Sequence, residues 1–350
     1  MRPWFSAACA LGAAVWAAAP SPTAAGRPHP SPGVRTWPIR YRTHDGLVRS
    51  AYVVVPRWYG PRRHPAIPLV ISPHGRGIPA RASARLWGSL PALGGFAVVS
   101  PDGQGRRLAL YSWGYRGQID DLARMPRIVR SALPWLRIDA SRVYAIGGSM
   151  GGQEVLLLLA QHPRLLAGVA AFDAATDLAA RYAAFTRMRC NRRCLQLWQE
   201  PIGIGLRRLA REEVGGSPAD VPRAYALRSP IAYTRSVARS GVPLQIWWSV
   251  ADEIVNDGRR QSRRFYTEVH RLNPKAPVVE FVGRWQHSRE LRSTSKVRVA
   301  LARFGLLAPG LAAKPCRMTA DREGRLMTRP DVPPALSCLS LLLWSVVGSW

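Results

Sequence analysis

The chain alternates between short apolar runs and longer stretches with helical periodicity. The apolar runs Ile67 to Ser72, Gly95 to Ser100, Arg142 to Ile146, Leu166 to Phe172, Pro243 to Ser249 and Val278 to Val282 are each too short for a helix and mostly unbroken by polar residues. That is the pattern of strands buried on both faces. Two further strands are predicted ahead of them, Trp37 to Arg42 and Val48 to Val55. The intervening His44-Asp45-Gly46 suits a tight hairpin turn. Helical segments are expected at Ala80 to Leu93, Ile119 to Leu136, Met150 to Gln161, Gly258 to Leu272 and Glu290 to Phe304. Strands alternating with helices predict an α/β fold: a mostly parallel, eight-stranded sheet with helices on both faces and an antiparallel opening hairpin. The connection 173–241 is too long for a plain loop and carries helical pieces of its own, so it reads as a lid insertion after the sixth strand.

Chemistry is predicted at the ends of these strands. The strand Arg142 to Ile146 runs into Gly147-Gly148-Ser149-Met150-Gly151-Gly152 and then a helix, a G-x-S-x-G motif in the strand-turn-helix setting a nucleophile elbow requires. Glycines there let strand and helix crowd together while the serine sits in a strained backbone conformation that exposes its hydroxyl. A serine hydroxyl becomes a useful nucleophile only when a base takes its proton and a carboxylate orients that base. Asp252 follows the strand Pro243 to Ser249, and His287 follows the last strand. The order Ser149, Asp252, His287 is the one an alpha/beta hydrolase needs. Glu253, Asp257 and Asp173 are competing acids. Among the other histidines, His270 falls within a helix, His162 ends one, and His29, His44 and His64 lie in amino-terminal loops. For the oxyanion, the backbone N–H of Met150 supplies one donor. Gly75 or Arg76, in the loop Ser72-Pro73-His74-Gly75-Arg76-Gly77, supplies the other. His74 reads as a hydrogen-bonder that stabilises this loop. Trp247, Trp248 and Trp285 lie near the acid and base, where they either line a substrate pocket or pack.

Composition adjusts this picture only in part. At 350 residues, 47% hydrophobic and 20% charged, the chain has enough apolar sequence to bury a sizeable core in one large domain or two small ones. The formal net charge of +29 invites a nucleic-acid reading, but Lys275, Lys296 and Lys314 are the only lysines among 50 basic residues. The arginines are scattered instead of clustered, so nucleic acid is not the expected partner. The basic stretch Met188 to Cys194 reads chiefly as a solvated part of the insertion. Residues 1–25 carry Arg2, an apolar stretch from Trp4 to Ala19 and small residues beyond it, the layout of a secretory signal peptide. An exported protein is therefore expected, with a Pro/Gly-rich leader over 26–36, a catalytic domain over 37–305 and a tail over 306–350. Leu339 to Trp350 is too short to span a bilayer. With Cys9 inside the signal, Cys190, Cys194, Cys316 and Cys338 remain as an even set for disulfides in an oxidising compartment. Their pairing is open, Cys190 with Cys194 and Cys316 with Cys338 being the local choice. No histidine lies at ligand spacing from them, and neither a metal nor an organic cofactor is expected.

His74-Gly75, the run Ser100-Pro101-Asp102-Gly103-Gln104-Gly105, the Gly147 to Gly152 elbow, Asp252 and His287 together resemble the alpha/beta-hydrolase superfamily. Within it the chain is similar to prolyl-oligopeptidase-family catalytic domains and to secreted esterases of the polyhydroxybutyrate-depolymerase and feruloyl-esterase type. Gly117-Gln118-Ile119-Asp120-Asp121 also looks like the segment that opens their helix before the nucleophile strand. The resemblance covers about residues 37 to 305. It implies a cofactor-free serine hydrolase acting on an ester or a short peptide, with an esterase the first expectation, a small serine peptidase the second, and a non-catalytic hydrolase-fold binding protein the rival from another class.

Overall fold

The computed structural model describes residues 33–60, 62–188, 192, 195–196, 199–287, 295–312, 319–320 and 326–327. Its strands are β1 (Val34–Arg42), β2 (Val48–Pro56), β3 (Ile67–Ile71), β4 (Ala97–Pro101), β5 (Ile138–Gly148), β6 (Gly168–Phe172), β7 (Leu244–Ser249) and β8 (Val278–Gly283). They form one sheet in the order β1-β2-β4-β3-β5-β6-β7-β8. The pairs β1/β2 and β2/β4 are antiparallel, and every later pair is parallel. Gly46, at φ 83°, takes the left-handed position of the opening hairpin turn. β1 begins three residues ahead of the predicted strand, because Val34 to Thr36 pair with Pro56 to Val54.

The helices are α1 (Ala80–Arg85), α2 (Leu90–Gly94), α3 (Arg116–Ala132), α4 (Met150–Gln161), α5 (Leu178–Ala184), α6 (Ile202–Val214), α7 (Pro222–Leu227), α8 (Thr234–Arg239), α9 (Arg264–Leu272), α10 (Ser295–Arg303) and α11 (Pro309–Ala312). The single helix expected over 80–93 is two, interrupted at Gly88, which adopts φ 50°. α3 stops at Ala132 because Leu133 precedes a proline and is pushed out of the helical region, to φ −129° and ψ 73°.

Within a strand, alternate residues serve opposite faces. In β3, Leu69 and Ile71 join a core with Leu122, Met125 and Val129 of α3, Val155 to Leu159 of α4 and Phe265 of α9. Val70 between them joins the other core, with Trp87, Leu90 of α2 and Val297, Ala300 and Leu301 of α10. This is why the strands read as unbroken apolar runs: both faces are covered. Leu306 and Leu307 are buried in the second core, so the body extends past residue 305.

The segment between β6 and β7 has its own small core, built from Leu178, Tyr182, Phe185, Leu206, Val214 and Tyr225 with Trp113 from the loop after β4. Glu213 ties it to that loop. The fully buried carboxylate accepts the backbone N–H groups of Arg106, Arg107 (2.8 Å) and Leu108 (2.9 Å) and pairs with Arg228. A comparable tie holds the opening hairpin to α3, where His44 meets the buried Asp121 at 2.9 Å. No described helix is long and apolar enough to cross a membrane.

Candidate active site

Ser149 sits between β5 and α4 with φ 58° and ψ −124°, a conformation that a residue with a side chain rarely adopts. Close packing enforces it. A Cβ on Gly147 would lie 2.5 Å from the Gly151 carbonyl oxygen, and one on Gly151 would lie 2.6 Å from that of Pro73. The glycines of the motif are therefore steric requirements at the point where strand, helix and the loop after β3 converge.

The loops after β7 and β8 bring the other two predicted residues to the serine. The His287 Nδ1–H donates to Asp252 Oδ2 at 2.8 Å, since a carboxylate oxygen only accepts. Nε2 is thereby left as the acceptor for the Ser149 hydroxyl, 2.8 Å away. The Asp252 side chain is 1% exposed, and its other oxygen accepts the N–H groups of Ile254 and Val255, each at 2.7 Å. His287 is held from a second direction by its own N–H, which donates to Glu253 Oε2 at 3.1 Å. Burial acts to lower the His287 pKa, but the hydrogen bond and charge of Asp252, helped by Asp173 and Glu253, outweigh it and raise it above the ordinary value.

Two of the competing acids are engaged elsewhere, while Glu253 takes only the His287 backbone N–H among the described residues. Both Asp173 oxygens accept the Trp285 Nε1–H, the shorter at 2.9 Å, and Asp257 pairs with the buried Arg181. Asp173, Asp252 and His287 present ligand atoms within 4.8 Å of one another, but Asp252 and His287 are already bound to each other and Asp173 is turned to the indole. His74 is fully buried. Gly103 N–H donates to its Nε2 at 2.7 Å, so its Nδ1 carries the proton and donates to the Gly75 carbonyl at 2.7 Å. Burial lowers its pKa, and it clamps the loop after β3 to the loop after β4, as its position predicts. Trp247 lies in the core, stacked on Phe281 and Phe172. Trp248 donates to Glu280 at 2.6 Å. None of the three tryptophans lines either cavity beside Ser149, so of the two readings given above the structure supports packing.

Ser149 stands between two cavities. The larger, about 190 Å³, is bounded by Gly75, Arg76, Gly148 and His287 and by the apolar side chains of Ile78, Leu86, Trp87, Leu90 and Val297. The narrower, about 30 Å³, contains Met150, Trp113, Gln153 and Arg181, with Phe185 and Leu206 from the β6–β7 segment. The predicted oxyanion donors thus border the serine on both sides. Met150 opens α4, so its N–H is among the first four of that helix, which have no intrahelical acceptor.

One contributor escaped the sequence reading. Ser249, the last residue of β7, accepts the N–H groups of Trp285 (2.7 Å) and Ala251 (3.0 Å), and its hydroxyl donates to the Trp285 carbonyl at 2.6 Å. It fastens the loop that carries Asp252 to the loop that carries His287. A serine at a strand end carries no pattern that announces this. The cysteines Cys190, Cys194, Cys316 and Cys338 lie outside the described residues, as do residues 1–25.

No protein-family model and no curated protein sequence matches the chain. Solved structures do match. An acylaminoacyl peptidase from Pyrococcus horikoshii aligns with a TM-score of 0.59 at 17% identity, over 77% of this chain and 41% of its own. A puromycin-hydrolyzing peptidase from Mycobacterium tuberculosis gives 0.58 at 19%, over 80% and 40%. A hyperthermophilic esterase from Pyrobaculum calidifontis gives 0.56 at 16%, over 79% and 84%. The chain spans about two fifths of the length of those peptidases and most of that of the esterase. These likenesses establish the fold as that of the alpha/beta hydrolases.

Proposed function

We propose that the protein is a serine hydrolase that cleaves carboxylic esters through an acyl-enzyme. Ser149 Oγ attacks the ester carbonyl while His287 Nε2 takes its proton, and Asp252 keeps the imidazole in the tautomer that leaves Nε2 free to do so. The N–H of Met150, with that of Gly75 or Arg76, receives the negative charge that develops on the carbonyl oxygen. His287 then protonates the departing alcohol, and water, activated by the same histidine, releases the acid. The observation that carries the reading is the hydrogen-bonded series Ser149, His287, Asp252 beside a cavity with apolar walls. The structures of similar fold include an esterase as well as peptidases, so the fold is compatible with an ester substrate.

A panel of p-nitrophenyl esters of increasing acyl length, a feruloyl ester and a prolyl-peptide anilide, run with Ser149→Ala alongside, tests it. Ester turnover that disappears in the variant is expected. Cleavage of the anilide alone makes the protein a peptidase, and absence of turnover with no fluorophosphonate labelling of Ser149 overturns the hydrolase reading. The character of residues 1–25 supports export, which amino-terminal sequencing of protein recovered from outside the producing cells would test.

A further inference from the structure

Asp252 is held by backbone donors of its own loop. Ile254 and Val255 give their N–H groups to its Oδ1, which leaves Oδ2 to the imidazole of His287. What holds that loop comes from across the narrow cavity, from Arg181 on α5 of the β6–β7 segment. Its guanidinium is buried and reaches the loop at three places. Nη2 donates to the Ile254 carbonyl at 2.5 Å, and Nη1 donates to Asn256 Oδ1 at 3.2 Å and pairs with Asp257. Gln261 adds a second tie between the same two regions: its Oε1 accepts the N–H groups of Thr176 (2.9 Å) and Asp177 (2.8 Å), and its Nε2 donates to Asp257 at 3.3 Å. The Ile254 carbonyl and the Val255 N–H belong to one planar peptide group. Arg181 therefore fixes the orientation of a group that itself donates to Asp252. A guanidinium suits this task because its rigid fork sets direction as well as charge.

We infer that Arg181 is a positioning residue for hydrolysis, which orients, through the Ile254–Val255 peptide, the carboxylate that orients His287. This rests on the hydrolase reading above. The β6–β7 segment thereby serves the reaction without supplying a reacting atom. Asp252, Asp173 and Glu253 act on His287 electrostatically, with Asp252 foremost, and Arg76 borders the same cavity as the imidazole. A cation at position 181 that acted by its charge alone would disfavour the imidazolium, so its removal would move the acid limb of kcat/KM to higher pH. Loss of orientation does the reverse: the Asp252–His287 bond weakens, the proton affinity of His287 falls and the limb moves to lower pH. A role confined to stability leaves the limb where it is.

The test is kcat and the pH profile of kcat/KM for a p-nitrophenyl ester, measured in the wild type, in Arg181→Lys and in the double variant Arg181→Met with Asp257→Asn. The lysine keeps the buried charge pair, and with it the fold, but an ammonium on a shorter arm does not reach Asp257 and the Ile254 carbonyl together. The double variant also removes the carboxylate that loss of the cation alone would leave buried without its partner. In the double variant kcat is expected to fall about 10- to 100-fold, short of the roughly 10⁴-fold cost of disabling the carboxylate itself, with KM little changed. The acid limb should lie about half a pH unit lower. The lysine variant should move in the same directions by less. Urea unfolding at the assay temperature shows that each variant is folded when assayed, and if the double variant is not, the lysine variant decides alone. Wild-type kcat, an acid limb that stays in place or moves to higher pH, or a rise in KM with kcat kept overturns the inference and leaves the hydrolase reading intact. A wild type that neither turns over esters nor takes a fluorophosphonate on Ser149 overturns both.

Discussion

The loops after β3 and β8 each bring a histidine to the neighbourhood of Ser149, and the two histidines have opposite electrostatics. His74 is enclosed, with a backbone N–H on Nε2 and a backbone carbonyl on Nδ1. Burial dominates there and favours the neutral ring. His287 feels the same burial, but its Nδ1 meets a carboxylate and its Nε2 meets a hydroxyl, and its affinity for a proton rises. The difference lies wholly in the partners. A histidine whose acceptor nitrogen is occupied by a backbone amide is a structural clamp, and one whose acceptor nitrogen faces a hydroxyl is equipped as a base.

Replacing each ring in turn should separate them most widely. His287→Ala is expected to lower kcat/KM for any ester cleaved by at least about 10⁴-fold, leaving only the contribution of oxyanion binding. His74→Ala can disturb the reaction only by displacing the Gly75 loop, an effect bounded by the loss of one oxyanion donor, about 10²- to 10³-fold. It should also cost about 1–3 kcal/mol of stability in urea unfolding, because the Gly103 N–H is left buried without its acceptor. Equal activity losses in the two variants would erase the distinction.

The next largest effect should come from removing the partner that makes His287 different. Asp252→Asn is expected to lower kcat by about 10⁴-fold, since an amide can donate to Nδ1 and favour the wrong tautomer. It should also move the acid limb of kcat/KM. With Asp252 present, His287 protonates at a pH above the ordinary histidine value of 6.5, and activity is lost as pH falls through that raised value. Without it the limb shifts to lower pH. Linkage gives the matching stability effect. A raised folded-state pKa contributes stability that is full below the unfolded value and is lost as pH rises through the folded value. Asp252→Asn should therefore destabilise the protein more at pH 5 than at pH 9 in denaturant titrations, and an unchanged acid limb would place the titrating group elsewhere.

Much of this contrast was legible in the sequence because it depends on local order. Short apolar runs located the strands, and the Gly147 to Gly152 motif located the elbow, because both are steric statements about neighbouring residues. That Asp252 and His287 would lie beside Ser149 followed from their places after successive strands. Three-dimensional contacts were not legible. Nothing near Ser249 in the chain announces that it bonds Trp285, 36 positions on, and nothing near Glu213 announces the loop at Arg106, 107 positions away. The break between α1 and α2 was missed because a single glycine, Gly88, is tolerated in a helical pattern until packing decides otherwise.

Glu154 extends the comparison from bases to acids, with the smallest expected effect. It lies on α4 five residues beyond Ser149, is fully buried, and takes a hydrogen bond from the Ser112 hydroxyl. Where Asp252 is met by two backbone N–H groups and an imidazole, Glu154 has no ion pair with a cation among the described residues, and burial pushes its carboxyl up to about 8 despite Ser112 and Gln118. The folded chain therefore holds a proton there that the unfolded chain has released above the ordinary value of 4.5. Between those two values the folded state binds more protons than the unfolded one, so this group makes stability fall as pH rises, by at most about 1.4 kcal/mol per pH unit. Glu154→Gln keeps the shape and removes the titration. Unfolding free energies measured at half-unit steps from pH 5 to 8 should fall less steeply in the variant than in the wild type, with the variant gaining on the wild type towards pH 8. Parallel curves would mean that Glu154 is ionised in the folded protein across the whole range, and that burial beside the nucleophile helix does not by itself keep a carboxyl neutral.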